Sequence, residues 1–174
     1  MRFLLISLLI LLCSSIRAQE NLEGQFPDDF LGIYKGDLEI NSPRGTNKVP
    51  MEFHLLATDI EGEYKYTLVY GEGKERQERK YRLLEKDPEQ GLYVVDEKNG
   101  IILDDKVVGN RMYSLFEVND SLLTTFVTFY RDHMVFEIVF APRQMANETF
   151  ATADSTRVLS YPISTVQRAI LQKE

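Results

Sequence analysis

Two histidines, His54 and His133, and one cysteine, Cys13, are the only imidazole and thiol groups in the chain. A transition-metal site asks for three or four such ligands brought together. His54 has the strand parity opposite to Met51 and Phe53, so it is expected to face solvent, and His133 sits beside a turn. Asp96, Glu97, Asp104 and Asp105 flank Asn99-Gly100. Four carboxylates near one hairpin could hold Ca²⁺, but their spacing matches no known loop, and they read as solvated charges. A carboxylate pair for glycoside hydrolysis is equally unspecific in so acidic a chain. There is no Gly-x-Ser-x-Gly elbow and no Ser-x-x-Lys. Gly71-Glu72-Gly73 lacks the helix that a phosphate-binding loop feeds. The run Lys74 to Lys80 mixes both signs and reads as a solvated arm. The sequons at Asn119 and Asn147 matter only in a host that glycosylates asparagine. The expectation is therefore a non-enzymatic protein with no catalytic residues, no metal and no cofactor.

Aromatic residues carry the one pattern that leans towards a site. Tyr34, Tyr64, Tyr66, Tyr70, Tyr81, Tyr93 and Phe53 share the inward parity of their strands. A buried phenol must find a hydrogen-bond partner, so a purely structural core would favour Leu, Ile and Val. Either the interior is partly wet and holds a ligand with polar groups, or the tyrosines line the ends of the fold with hydroxyls in solvent. If the interior is hollow, Tyr34, Phe53, Tyr66, Leu68 and Phe136 are the residues expected to line it.

The elements that must position these residues alternate with period two from Phe30 onward, the pattern of half-buried strands. Val49, Met51, Phe53 and Leu55 alternate with Pro50, Glu52, His54 and Leu56. Tyr64, Tyr66, Leu68 and Tyr70 do the same against Lys65, Thr67 and Val69. Further strands are expected over Arg76 to Glu85, Leu92 to Lys98, Ile101 to Leu103, Asn110 to Val118, Leu122 to Tyr130 and Met134 to Ala141. Asn99-Gly100 suits a two-residue type I′ turn, because both residues tolerate positive φ. About nine strands with no room for crossovers must pair antiparallel. Gln144 to Thr156 reads as a loop. Ser164 can cap a short helix, Thr165 to Gln172, with Val166, Ala169 and Ile170 on one face. The fold class is all-β: an up-and-down meander of about eight to ten strands that closes into a barrel, with a C-terminal helix. Closure removes the exposed edges. A two-sheet sandwich is the rival, although it would normally show long crossing loops.

The first strand opens Gly32-Ile33-Tyr34-Lys35-Gly36. This resembles the Gly-x-Trp opening of lipocalins and related calycin barrels, with Tyr in place of Trp. The resemblance implies that Tyr34 plugs one end of the barrel and, by analogy, that the interior binds a ligand. The later Thr-Asp-Tyr motif of lipocalins has no counterpart, since Thr58-Asp59-Ile60 comes too early. The haem-binding nitrobindins open similarly, but their iron ligand is a histidine near the C-terminus, and nothing after His133 could serve here.

Residues 1 to 18 differ from the rest. Arg2 precedes an apolar stretch from Phe3 to Leu12, and Ser14, Ser15 and Ala18 follow it. That is the order of a secretory signal, too short to span a bilayer. Cleavage is expected after Ala18, leaving Gln19 first. The alternatives are an uncleaved anchor, or lipidation at Cys13, against which Leu11 and Leu12 stand. A polar leader would run from 19 to 29 and a single domain from 30 to 174. The mature chain would have no thiol, which suits a bacterial envelope or extracellular protein. Without Arg2 and Arg17 it carries 18 basic and 27 acidic residues, a net charge of −9, which argues against binding nucleic acid or an anionic membrane surface. The reading is an exported, periplasmic or extracellular barrel that binds a small, mostly apolar ligand, with no membrane insertion of the mature chain. The alternative is an envelope or surface interaction module with a filled core. Oligomeric state is left open.

Overall fold

The computed structural model describes residues 24–174. The expected signal peptide, Cys13 and the start of the leader lie outside the described residues. Ten strands close into one antiparallel barrel: β1 (Gly32–Ser42), β2 (Gly45–Ala57), β3 (Glu63–Tyr70), β4 (Gln77–Asp87), β5 (Leu92–Asp96), β6 (Ile102–Val108), β7 (Arg111–Val118), β8 (Ser121–Phe129), β9 (His133–Pro142) and β12 (Thr165–Lys173). Each strand from β1 to β9 pairs with the next, and β12 bridges β9 back to β1. Between β9 and β12 the chain forms a separate hairpin, β10 (Asn147–Phe150) with β11 (Arg157–Ser160). The ring is an up-and-down barrel and not a sandwich.

Turn chemistry fixes the register. Asn119 and Asp120 take φ of 47° and 59° between the paired residues Val118 and Ser121, so the type I′ backbone lies there. At Asn99-Gly100 the structure corrects the two-residue turn: Asp96 pairs with Ile102, leaving a five-residue loop. The reason is local capture of the backbone by side chains. Asp96 Oδ1 accepts from Lys98 N at 2.7 Å, and Asn99 Oδ1 accepts from Ile101 N at 2.9 Å. Lys98 and Gly100 then take the positive φ values, 60° and 98°.

The expected C-terminal helix over Thr165 to Gln172 is instead strand β12. Val166, Ala169 and Ile170 fit a helical stripe, yet they sit on a segment that also alternates, with Ala169 and Leu171 buried and Arg168, Ile170 and Gln172 exposed. Ring closure decides between the two patterns. Without β12 the edges of β1 and β9 would be left unpaired, and tertiary pairing overrides a weak helical preference. The segment Gln144 to Thr156, expected as a loop, contains β10.

Packing divides the interior into two zones. At one end the short 3₁₀ turn Asp28–Phe30 lays Phe30 over the barrel, and Phe26 joins it. Phe26 packs against Tyr93 and Phe129 at centroid distances of 5.2 and 5.5 Å, and Phe30 stacks on Phe129 at 5.5 Å. Tyr34, Phe53 and Phe129 fill the layer beneath. Aromatic contacts of this kind contribute about 0.5–1.5 kcal/mol each beyond area burial. The Tyr34 hydroxyl donates to the Phe30 carbonyl at 2.5 Å, which ties the leading turn to the first strand. So residues 26 to 29 of the expected polar leader, with Phe30 at the start of the expected domain, stopper the barrel.

Candidate functional site

The opposite end is hollow. A cavity of about 850 Å³ extends from Tyr66, Leu68 and Phe136 at its floor to a mouth at the ends of β1, β3, β5 and β7. Its walls are largely aliphatic and aromatic, with Leu38, Val95, Leu103, Met112, Leu123 and Phe140 among them. The strands that build it alternate, so one residue in two points inward, and the aromatic stopper keeps the far end shut.

The structure brings together three of the five residues expected to line a hollow interior. Tyr66, Leu68 and Phe136 are in the cavity wall. Tyr34 and Phe53 are 0% exposed and belong to the stopper instead, because Phe26, Phe30 and Phe129 occupy the space their rings would otherwise face. All seven aromatics of the inward parity are in the core or packed against it. Tyr66, Tyr70 and Tyr81 also line the cavity. Burial raises the phenols of Tyr66 and Tyr81, and raises that of Tyr70 to about 12. These groups therefore meet any occupant as neutral donors near pH 7.

One carboxylate that the sequence reading took as solvated is instead in the cavity wall. Asp105 points into the cavity and is 5% exposed. Its Oδ2 has no hydrogen-bond partner among the described residues. Burial pushes the carboxyl up to about 7; the Ser114 hydroxyl on β7 pulls the other way, and the adjacent Asp104 adds a small upward push. Asp105 acts in turn on the Tyr66 phenol, raising it further. The signal lay in parity: Asp105 stands two residues from Leu103 and two from Val107, on the apolar side of its strand.

The four carboxylates around the Asn99-Gly100 loop do not converge. Asp96 is held by Arg82 at 2.5 Å, Asp104 lies on the outer face of β6 and Asp105 on the inner face. Among the described residues no group of three or more His, Cys, Asp or Glu is placed to hold a metal ion. His54 lies on the outside of the barrel beside Glu52, whose Oε2 is 2.8 Å from its Nε2, and Arg76 pairs with the same glutamate. His133 stacks on Tyr130 at 4.3 Å and bonds Asp132 at 2.7 Å. Neither histidine lines the cavity. Ser114, the hydroxyl nearest Asp105 on β7, donates to the Asp104 carbonyl at 3.3 Å.

No protein-family model matches the chain, and no curated protein matches it.

Proposed function

We propose that the chain is exported and that its barrel carries a small, mostly apolar molecule in the cavity without chemically changing it. The observation that supports this most is the cavity itself, about 850 Å³ and walled by apolar side chains. Pockets for drug-sized ligands span roughly 300–1,000 Å³ and combine such walls with a few polar groups. The Gly32-Ile33-Tyr34 opening, the closed ring and the stopper at the Tyr34 end are compatible with a calycin-like barrel, and the lipocalin-like reading rests on them. Burying apolar ligand surface contributes about 25 cal/mol per Å² before ordering costs, enough for micromolar binding.

The test is native mass spectrometry of protein recovered from its own host. The expected result is a chain beginning at Gln19 with a co-purified small molecule. A chain retaining Met1, or one without any adduct that also ignores added apolar probes, would contradict the reading. In probe titrations Tyr66→Ala should change affinity severalfold, whereas His54→Ala, outside the cavity, should leave it alone.

The second reading, an interaction module, draws on the β10–β11 hairpin, where Phe150, Val158 and Leu159 are exposed. Charged replacements at these three positions would abolish binding to a partner protein while sparing probe uptake.

A further inference from the structure

We propose that the occupant of the cavity is an amphiphilic amine, an apolar body bearing one ammonium group, and that Asp105 is its anchor. The inference rests on the ligand-carrier reading above and adds the chemical class of the ligand. An uncompensated carboxylate in an apolar wall is costly, and buried charges are ordinarily paired. This barrel pairs its other buried carboxylate: Asp96, 8% exposed, takes a hydrogen bond from the Arg82 guanidinium and another from Lys98 N. Asp105 is buried at least as deeply, its Oδ2 is unpartnered, and no cationic group among the described residues is near enough to act on it.

The groups that face Asp105 come from the strands around it. They are Ser114 from β7 and Tyr66 across the interior from β3, with Asp104 adjacent on its own strand; Tyr93, the register partner on β5, packs its ring on Phe26 in the stopper. Hydroxyls can donate to a carboxylate, but none of them can neutralise it. An ammonium can do both, through a charge-assisted hydrogen bond strengthened by the apolar surroundings. The mouth favours the same sign: Glu75 and Glu97 line it with Arg79, while the third glutamate there, Glu117, is paired with Arg143. A lone carboxylate with no convergent ligand set does not suit a divalent cation, and the depth of the apolar walls demands more than a small ion.

The experiment displaces the neutral fluorophore N-phenyl-1-naphthylamine with two matched probes, decylammonium and 1-decanol, at pH 8. Wild type should release the fluorophore at a decylammonium concentration at least about tenfold below that of decanol, the size of one charge-assisted hydrogen bond. Asp105→Asn should abolish that preference and keep decanol binding. Should the variant fail to fold, wild type alone gives the second readout: lowering the pH from 8 to 5.5 protonates Asp105 and should erase the preference. Added salt should leave most of it intact, because salt screens the rim glutamates more than a buried contact. Equal potency of the two probes in wild type at pH 8, or a preference that survives both Asp105→Asn and low pH, overturns the amine assignment and leaves the carrier reading standing. Failure of the fluorophore itself to bind overturns both.

Discussion

A carboxylate on the inner wall of a barrel weakens the fold for as long as it stays charged. Asp105 is raised to about 7 in the folded chain, against about 3.9 for an unfolded aspartate. Between those values the folded state holds a proton that the unfolded state has released, so stability falls as pH rises through the window. Urea unfolding at pH 5 and pH 8 should show Asp105→Asn gaining on wild type by about 2–3 kcal/mol more at the higher pH. An equal difference at both pH values would mean that Asp105 is charged or solvated throughout. The lowered carboxylates Glu52, Glu78 and Asp96 act in the opposite sense, and their stabilisation is lost as pH falls past the ordinary carboxylate values, from the low end of this window downward. A second residue-scale prediction concerns the opening glycines. A Cβ on Gly36 would lie 2.6 Å from the backbone oxygen of Ile170 on β12, while one on Gly32 would meet only the flexible end of Lys173. Gly36→Ala should cost about 1–3 kcal/mol in thermal unfolding and Gly32→Ala clearly less. The tyrosine wall was legible because a strand repeats every two residues and sorts its faces. Asp105 was not, since it was weighed with the acidic residues near it in sequence and not with Leu103 and Val107, which share its face.

At the scale of elements, local and long-range signals parted company in two places. Asn119-Asp120 made the type I′ turn that Asn99-Gly100 seemed better suited to, because Asp96 and Asn99 seized nearby backbone amides and widened the second loop. The last strand carried a helical stripe and a strand alternation at once, and only the need to join β9 to β1 separates them. No local window contains that information. The β10–β11 hairpin is different: its strands pair only with each other. Replacing residues 147–160 with a short Gly-Ser linker should leave a cooperatively unfolding barrel, seen by circular dichroism, with unchanged probe affinity. Loss of cooperative unfolding would show that the hairpin is part of the closure. A changed affinity alone would place it over the mouth.

The molecule as a whole is a barrel with one end stoppered by aromatic rings and the other left open around an acidic rim. Fold class and the inward tyrosines could be read from alternation and turns, whereas the division of the interior into stopper and cavity could not. That division depends on Phe26 and Phe30, which precede the first strand and are placed by chain reversal and not by periodicity. It also determines why Tyr34 and Phe53 are structural while Tyr66, Leu68 and Phe136 face open space. The central claim is that this space admits a ligand. The most direct measurement is a titration of N-phenyl-1-naphthylamine into wild type and into Leu103→Trp, which places an indole in the cavity wall. The account predicts saturable one-to-one binding to wild type and at least about tenfold weaker binding to a variant that still unfolds cooperatively. Wild-type fluorescence no greater than that of an unrelated, filled barrel, or equal affinity in the filled variant, would contradict it.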